Sequence, residues 1–348
     1  MKTVRLAWLW VGMLLLLAVS IPVYAQRQPH TFLKTNIKLT DAEIQTIDQG
    51  QVVTKVLQSA DKYGMLVFGA IYINGPIQKF AEVYRDVQKL QGEKVYLAVQ
   101  EFSKIASPVK LADFDRLELA KGDIDALEGC KPGDCDLQIF SQIEETKKLI
   151  DWKSKDKYAK VNELVRRRIF DGMSLYQKGG LKELGSYRDR GTPFSLYQSM
   201  KDMVDHAYYL PKDKAPDLYG HVVEYPQAKM KGAEDIFYWE KIDFGQGPVI
   251  RVNHVSLFPA GFGAAKFVGA NKQLYASKYM RAALQMYYCV PDTENPSKPG
   301  FYLITMSDSR LPDFGGLKLS IVRKIATSTA VAGAKDTLQI YQRRTTAK

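Results

Sequence analysis

Apolar and polar positions along the chain follow two different periods in three successive stretches. Over 50–126 the pattern is mostly that of strands. "QVVTKVLQ" and "MLVFGAIYIN" are rich in β-branched and aromatic residues and are separated by the turn-prone "SADKYG". Gly75-Pro76 then opens an amphipathic helix: Ile77, Phe80, Ala81, Val83, Tyr84, Val87 and Leu90 recur at helical spacing, and Gly92 stops it. "KVYLAVQEFS" reads as a strand and "DFDRLEL" as a weaker one. Over about 137–215 the period becomes helical. Val161, Leu164, Val165, Arg168, Ile169 and Gly172 trace a helix running past Tyr176 to Gly179-Gly180, and "FSLYQSMKDMVDHAYYL" forms another that halts before Pro211. Strand character returns in "DIFYWEKIDF", "PVIRVNHVSLFP", "KQLYASKYMRAALQMYYCV" and "GFYLITMSDSRL". The chain closes on a long helix after Gly316, with Leu317, Ile321, Ile325, Ser328 and the small residues Ala330 to Ala334 on its packing face, and a disordered tail at 343–348.

Ahead of all this stands "LTDAEIQTIDQG", a short helix with Thr40 at its N-cap and Glu43 three residues on. It belongs to an N-terminal lead spanning 26–48. The first 25 residues have a different character. Lys2 and Arg5 precede an unbroken apolar run from Leu6 to Val19, and Val23-Tyr24-Ala25 offers the small or permissive residues of a signal-peptidase site. The run is shorter than the roughly 20 residues of a spanning helix, and Pro22 interrupts its end. The expectation is cleavage between Ala25 and Gln26 and a periplasmic or secreted mature protein.

Export changes the meaning of "CKPGDC". In an oxidising compartment disulfides persist, and Lys131-Pro132-Gly133-Asp134 is a strong turn that sets Cys130 and Cys135 opposite each other. A zinc site would need two more ligands nearby, and thioredoxin or haem chemistry uses C-x-x-C. A Cys130–Cys135 disulfide is expected, with Cys289 a buried thiol.

The formal charge of +11 invites an anionic partner. The compartment argues against nucleic acid. The cluster Arg166-Arg167-Arg168 reads either as a solvated helix face or as a peripheral contact with an anionic membrane surface.

Taken together, strands, one helix, more strands and a long terminal helix make an α+β protein, with an antiparallel sheet and helices on one face. That order resembles the START-like, or helix-grip, superfamily, in which a curved antiparallel sheet wraps a long C-terminal helix. The resemblance rests on "VVTKVL", "LVFGAIYINGPIQKFAEVYRDVQKL", "VIRVNHV", "FYLITMS" and the helix after Gly316. It covers 50–126 and 220–343 and carries no diagnostic motif. The helical block between them departs from the compact family pattern, as an insertion within a single domain at 49–342 or as a different fold.

Chemical signatures are sparse. The acidic stretch "DIDALEGCKPGDCD" fails the EF-hand template, since Leu127, Glu128 and Asp134 stand where Asp/Asn, Gly and Glu belong. There is no G-x-S-x-G, H-E-x-x-H, P-loop or dinucleotide fingerprint. No cofactor and no metal site is indicated, and the chain reads more as a binder than an enzyme. His254 shares a strand face with Ile250, Val252, Ser256 and Phe258, as a hydrogen-bonded core residue or as a polar anchor in a ligand cavity. Trp239 is core or cavity wall. Tyr275, Ser277, Tyr279 and Arg281 alternate onto one face, either outward or as an aromatic lining with one cation for a lipid head. The resemblance implies a carrier binding a hydrophobic molecule (a lipid, sterol-like molecule or fatty acyl chain) between sheet and terminal helix, with Trp239 and His254 in its wall. The alternatives are an envelope hydrolase acting on lipid or cell-wall material, and a non-catalytic assembly factor. Ligand identity and oligomeric state stay open.

Overall fold

The computed structural model describes residues 29–104, 108–138, 143–259, 261–292 and 299–347. The expected signal segment and the expected cleavage point after Ala25 lie outside them. Two helices lead in, α1 (Pro29–Thr35) and α2 (Asp41–Asp48). The expected capping box of α2 is present: Thr40 Oγ1 accepts from Glu43 N, and the Glu43 carboxylate accepts from Thr40 N. Then come β1 (Val53–Leu57), β2 (Gly64–Ile73), α3 (Ile77–Arg85) and β3 (Tyr96–Lys104). A 3₁₀ turn at Val87–Gly92 takes the last part of the helix expected to run to Gly92. The weak strand expected at "DFDRLEL" is instead a 3₁₀ turn, Leu111–Phe114, followed by coil. Its inward side chains Phe114 and Leu117 bury into the helical block rather than pairing in the sheet.

That block comprises α4 (Lys121–Gly129), α5 (Ile143–Lys148), α6 (Lys157–Gly179), the short β4 (Ser186–Tyr187) and β5 (Phe194–Ser195), α7 (Leu196–Asp205) and α8 (Pro216–Glu224). The staple is formed. Cys130 and Cys135 are disulfide-bonded across the Lys131–Asp134 turn, where Gly133 takes φ +83°. The turn also pins the segment before β5, because Gly133 N donates to Arg188 O and Cys135 N to Asp189 O. Cys289 is free and buried. Among the described residues no helix is long and apolar enough to cross a membrane.

The chain returns through β6 (Glu234–Ile242), β7 (Val249–Phe258), β8 (Phe267–Ala276), β9 (Ala282–Pro291) and β10 (Phe301–Arg310), and ends in α9 (Gly316–Thr346). "KQLYASKYMRAALQMYYCV" is therefore two strands and a turn. Eight strands form one open antiparallel sheet in the order β1-β2-β10-β9-β8-β7-β6-β3. Helices cover both of its faces, not one. Phe68, Ala70, Tyr72, Phe237, Trp239, Val252 and Met286 point to the face under the helical block and the N-terminal helices. Ile71, Ile73, Tyr238, Val255, Leu257, Tyr287 and Leu303 point to the face held by α3 and α9. These sets alternate along each strand, as the two-residue pleat requires.

α9 runs to Thr346, past the end expected from sequence. Its packing face is also not the expected one. Leu317, Ile321 and Ile325 are 76%, 53% and 47% exposed, while Ala334, Leu338 and Tyr341 are buried. At 3.6 residues per turn, Arg323, Thr327, Ala330, Ala334, Leu338 and Tyr341 share one side of the helix, which is the side turned to the sheet. The aliphatic residues of the first half belong to the opposite side. Close approach is bought with glycine: a Cβ on Gly69 would lie 2.8 Å from both Leu338 and Thr305.

Candidate functional site

Trp239 and His254 lie on neighbouring strands, as expected, and on one face, but that face is the one beneath the helical block. Neither lines the space under α9. Trp239 is fully buried and donates from Nε1 to Asp113 O at 2.9 Å. His254 sits in a buried polar network. Asp235 Oδ1 lies 2.8 Å from His221 Nε2, 2.9 Å from His254 Nε2 and 2.9 Å from Ser256 Oγ. The Tyr176 hydroxyl, from α6, is 2.7 Å from His254 Nδ1. Burial alone would raise the Asp235 carboxyl, but the hydrogen bonds from His221 and His254 outweigh it and hold it well below the usual carboxylate range. Burial also pushes His254 down to about 3, against a smaller upward pull from Asp235, so the imidazole is neutral. Lys272, buried beside Tyr176 and Tyr225, is lowered to about 7 by burial, and its Nζ donates to Val222 O.

His221, Asp235 and His254 have the composition of a metal triad, and their ligand atoms lie within 4.8 Å of one another. Hydrogen-bond polarity argues against that use. Met230 N–H donates to His221 Nδ1 at 3.0 Å, so the neutral ring carries its proton on Nε2, the atom facing Asp235. A metal-ligating histidine shows the reverse arrangement, donating from its remote nitrogen to an acceptor. The geometry is that of a carboxylate receiving three donors, and it keys α6 and α8 to the sheet.

The other predicted residues do not share a face. Tyr275 ends β8 and donates to Gln138 O; Tyr279 lies in the following turn at φ +72° and donates to Gln246 O. Arg281 precedes β9 and is fully buried. It pairs with Asp189 and Asp313 at 3.2 Å each and lies over the Phe194 ring. It does line a cleft of about 840 Å³, together with Ser199, His206, Tyr209, Asp308 and Asp313. There burial raises Asp308 to about 7 while the Tyr209 hydroxyl donates to it. The charges of this cleft are largely spent on one another: Asp189, Arg281, Asp313, Arg310 and Asp61 form a continuous chain of ion pairs. The basic cluster is likewise partly committed, with Arg166 bonded to Leu117 O and paired with Glu118.

The face toward α9 is different. Its apolar rows, carrying Tyr238, Val255, Tyr287 and Leu303, give way to a polar stripe that sequence reading did not single out. Glu240 pairs with Arg251, Asn253 with Gln273, Asn271 with Gln285, and Gln285 with Ser307 in the strand register, so the stripe crosses five strands without a break. Some of its atoms are matched. Arg251 Nε and Asn253 Nδ2 both donate to Glu240 Oε1, and Asn271 Nδ2 donates to the Tyr238 hydroxyl. Others are not. Glu240 Oε2, Asn271 Oδ1, Gln273 Oε1 and Ser307 Oγ are buried with no hydrogen-bond partner among the described residues, and so are Nε and Nη2 of Arg323 on the sheet-facing side of α9. Gln285 and Ser307 are partly exposed although they stand in the middle of central strands.

No protein-family model matches the chain, and no curated protein does. Solved structures similar to it include the Zhui aromatase/cyclase from Streptomyces sp. R1128, with a TM-score of 0.25 and 16% identity over 38% of this chain and 84% of that one. A START superfamily protein from Mycobacterium smegmatis is another, with a TM-score of 0.21 and 8% identity over 33% and 69%.

Proposed function

We propose that this chain is an exported binding protein, without chemistry of its own, that holds a small amphiphilic molecule between its sheet and α9. The observation that carries the reading is the set of buried, unmatched polar atoms on the stripe. Leaving one such atom without a partner costs about 1–3 kcal/mol. A row of them is tolerated only where water or a ligand supplies the missing bonds. The adjoining apolar rows give the same cleft a surface for a hydrocarbon portion. A mostly apolar recess with a few placed polar groups is the usual form of a small-molecule site. Every ring nitrogen of His221 and His254 is already met by a protein group, which favours a carrier over a histidine-dependent hydrolase.

Native mass spectrometry of the full chain, purified without detergent from cells that export it, tests this. The expected result is a stoichiometric added mass that leaves on denaturation and is missing from Thr327→Trp, whose indole would fill the cleft. An unladen wild-type protein that also fails to take up added C12 amphiphiles would overturn the reading.

A further inference from the structure

The sheet-facing side of α9 leaves one charge unanswered. Glu240 and Arg251 face each other in the register and are paired through Oε1 of the carboxylate. Arg323 has no such partner. Its Nε and Nη2 are both buried and both lack an acceptor among the described residues. These two nitrogens form the edge of a guanidinium that meets two oxygens of one anionic group in parallel hydrogen bonds. Arg323 and Tyr341 are eighteen residues apart, five full helical turns, so the arginine leaves α9 on the side from which Tyr341 enters the core. A guanidinium edge that is buried and unmatched is costly unless an acceptor meets it.

Resting on the proposed cleft, we infer that its ligand is an acid, and that Arg323 is the residue that clamps the headgroup. The headgroup has two oxygens on one centre, as in a carboxylate or a phosphate monoester. The apolar rows beside the stripe take the chain. Arg323 is thus a specificity residue, setting acids apart from alcohols of equal length.

Isothermal titration of the full chain with dodecanoate, dodecyl phosphate and dodecanol, each below its micelle concentration, reads this directly. Wild-type protein should bind at least one acid about tenfold or more tighter than the alcohol, as a charge-assisted bidentate contact implies; the tighter acid identifies the headgroup. Arg323→Gln should bring that acid to the level of dodecanol and leave dodecanol itself unchanged. Arg323→Lys should recover only part of the preference, since one ammonium cannot fork two oxygens. Because no protein group is lost with the guanidinium, the melting temperature of Arg323→Gln should not fall. Equal binding of acids and alcohol by wild type, or a preference that survives Arg323→Gln, overturns the inference while leaving the cleft standing. Failure of all three probes, or binding that Thr327→Trp does not reduce, removes the cleft and this assignment with it.

Discussion

His254 makes the folded state sensitive to acid in a way that can be isolated. Its ordinary value is 6.5, and burial lowers it to about 3 in the folded protein. The folded state therefore stays neutral there while the unfolded chain takes up a proton below 6.5. Stability contributed by this residue is complete above 6.5 and is lost as pH falls toward 3, at up to about 1.4 kcal/mol per pH unit. Two units below the unfolded value, at about pH 4.5, the loss from His254 alone is about 3 kcal/mol. Asp235, held below the usual carboxylate range, acts in the same direction at still lower pH. The perturbation is His254→Gln, which keeps a donor for Asp235 and removes the titrating ring. Urea unfolding of both proteins at half-unit steps from about pH 7 to 4.5 gives two curves of stability against pH. The variant starts lower at neutral pH, because the Tyr176 hydroxyl and part of the Asp235 shell are disturbed. Its curve should then fall less steeply, by about 3 kcal/mol over the range, with the contributions of other groups common to both. Parallel curves would refute the assignment of a buried neutral imidazole.

Two further outcomes follow from packing and covalent structure. Gly69→Val should destabilise the protein by about 1–3 kcal/mol in urea unfolding, because its Cβ would meet Leu338 and Thr305 at 2.8 Å where α9 crosses β2; an unchanged midpoint would mean that α9 does not approach there. Thiol counting without reductant on protein expressed with its N-terminal segment should find one reactive group in denaturant, Cys289, and none in the native state, where burial raises that thiol far above its usual value; three thiols in denaturant would contradict the staple.

Local rules were legible wherever the chain itself enforces the conformation. The Thr40–Glu43 box, the Gly180 stop after α6 and the Cys130–Cys135 turn each depend on residues within a few positions of one another. The strands were legible too, although the run from Lys272 to Val290 hid a turn. Tyr279 adopts φ +72°, a conformation that glycine or asparagine would have advertised and tyrosine does not. What alternation could not tell is which layer covers which face. Trp239 and His254 do lie on neighbouring strands, but a sheet with helices on both sides has two inward faces, and period two does not name them.

The same ambiguity explains why His254 drew attention and the polar stripe did not. A histidine among apolar residues stands out in sequence, yet here every polar atom it brings is met by Tyr176, Asp235 or Ser256. Asparagine, glutamine and serine within strands look unremarkable one at a time. Asn253, Gln273, Asn271, Gln285 and Ser307 come from four strands, and only the register brings them into one row. Arg323 is harder still to find, since its neighbours Ile321 and Ile325 suggest an apolar face that turns out to point to solvent. Burial decides between the two sites by a simple asymmetry. A polar group that is buried and matched holds the fold together, whereas one that is buried and unmatched implies something else to bond. By that criterion the His254 imidazole is architecture, and the unmatched row on the face toward α9 is where the proposed ligand would bond.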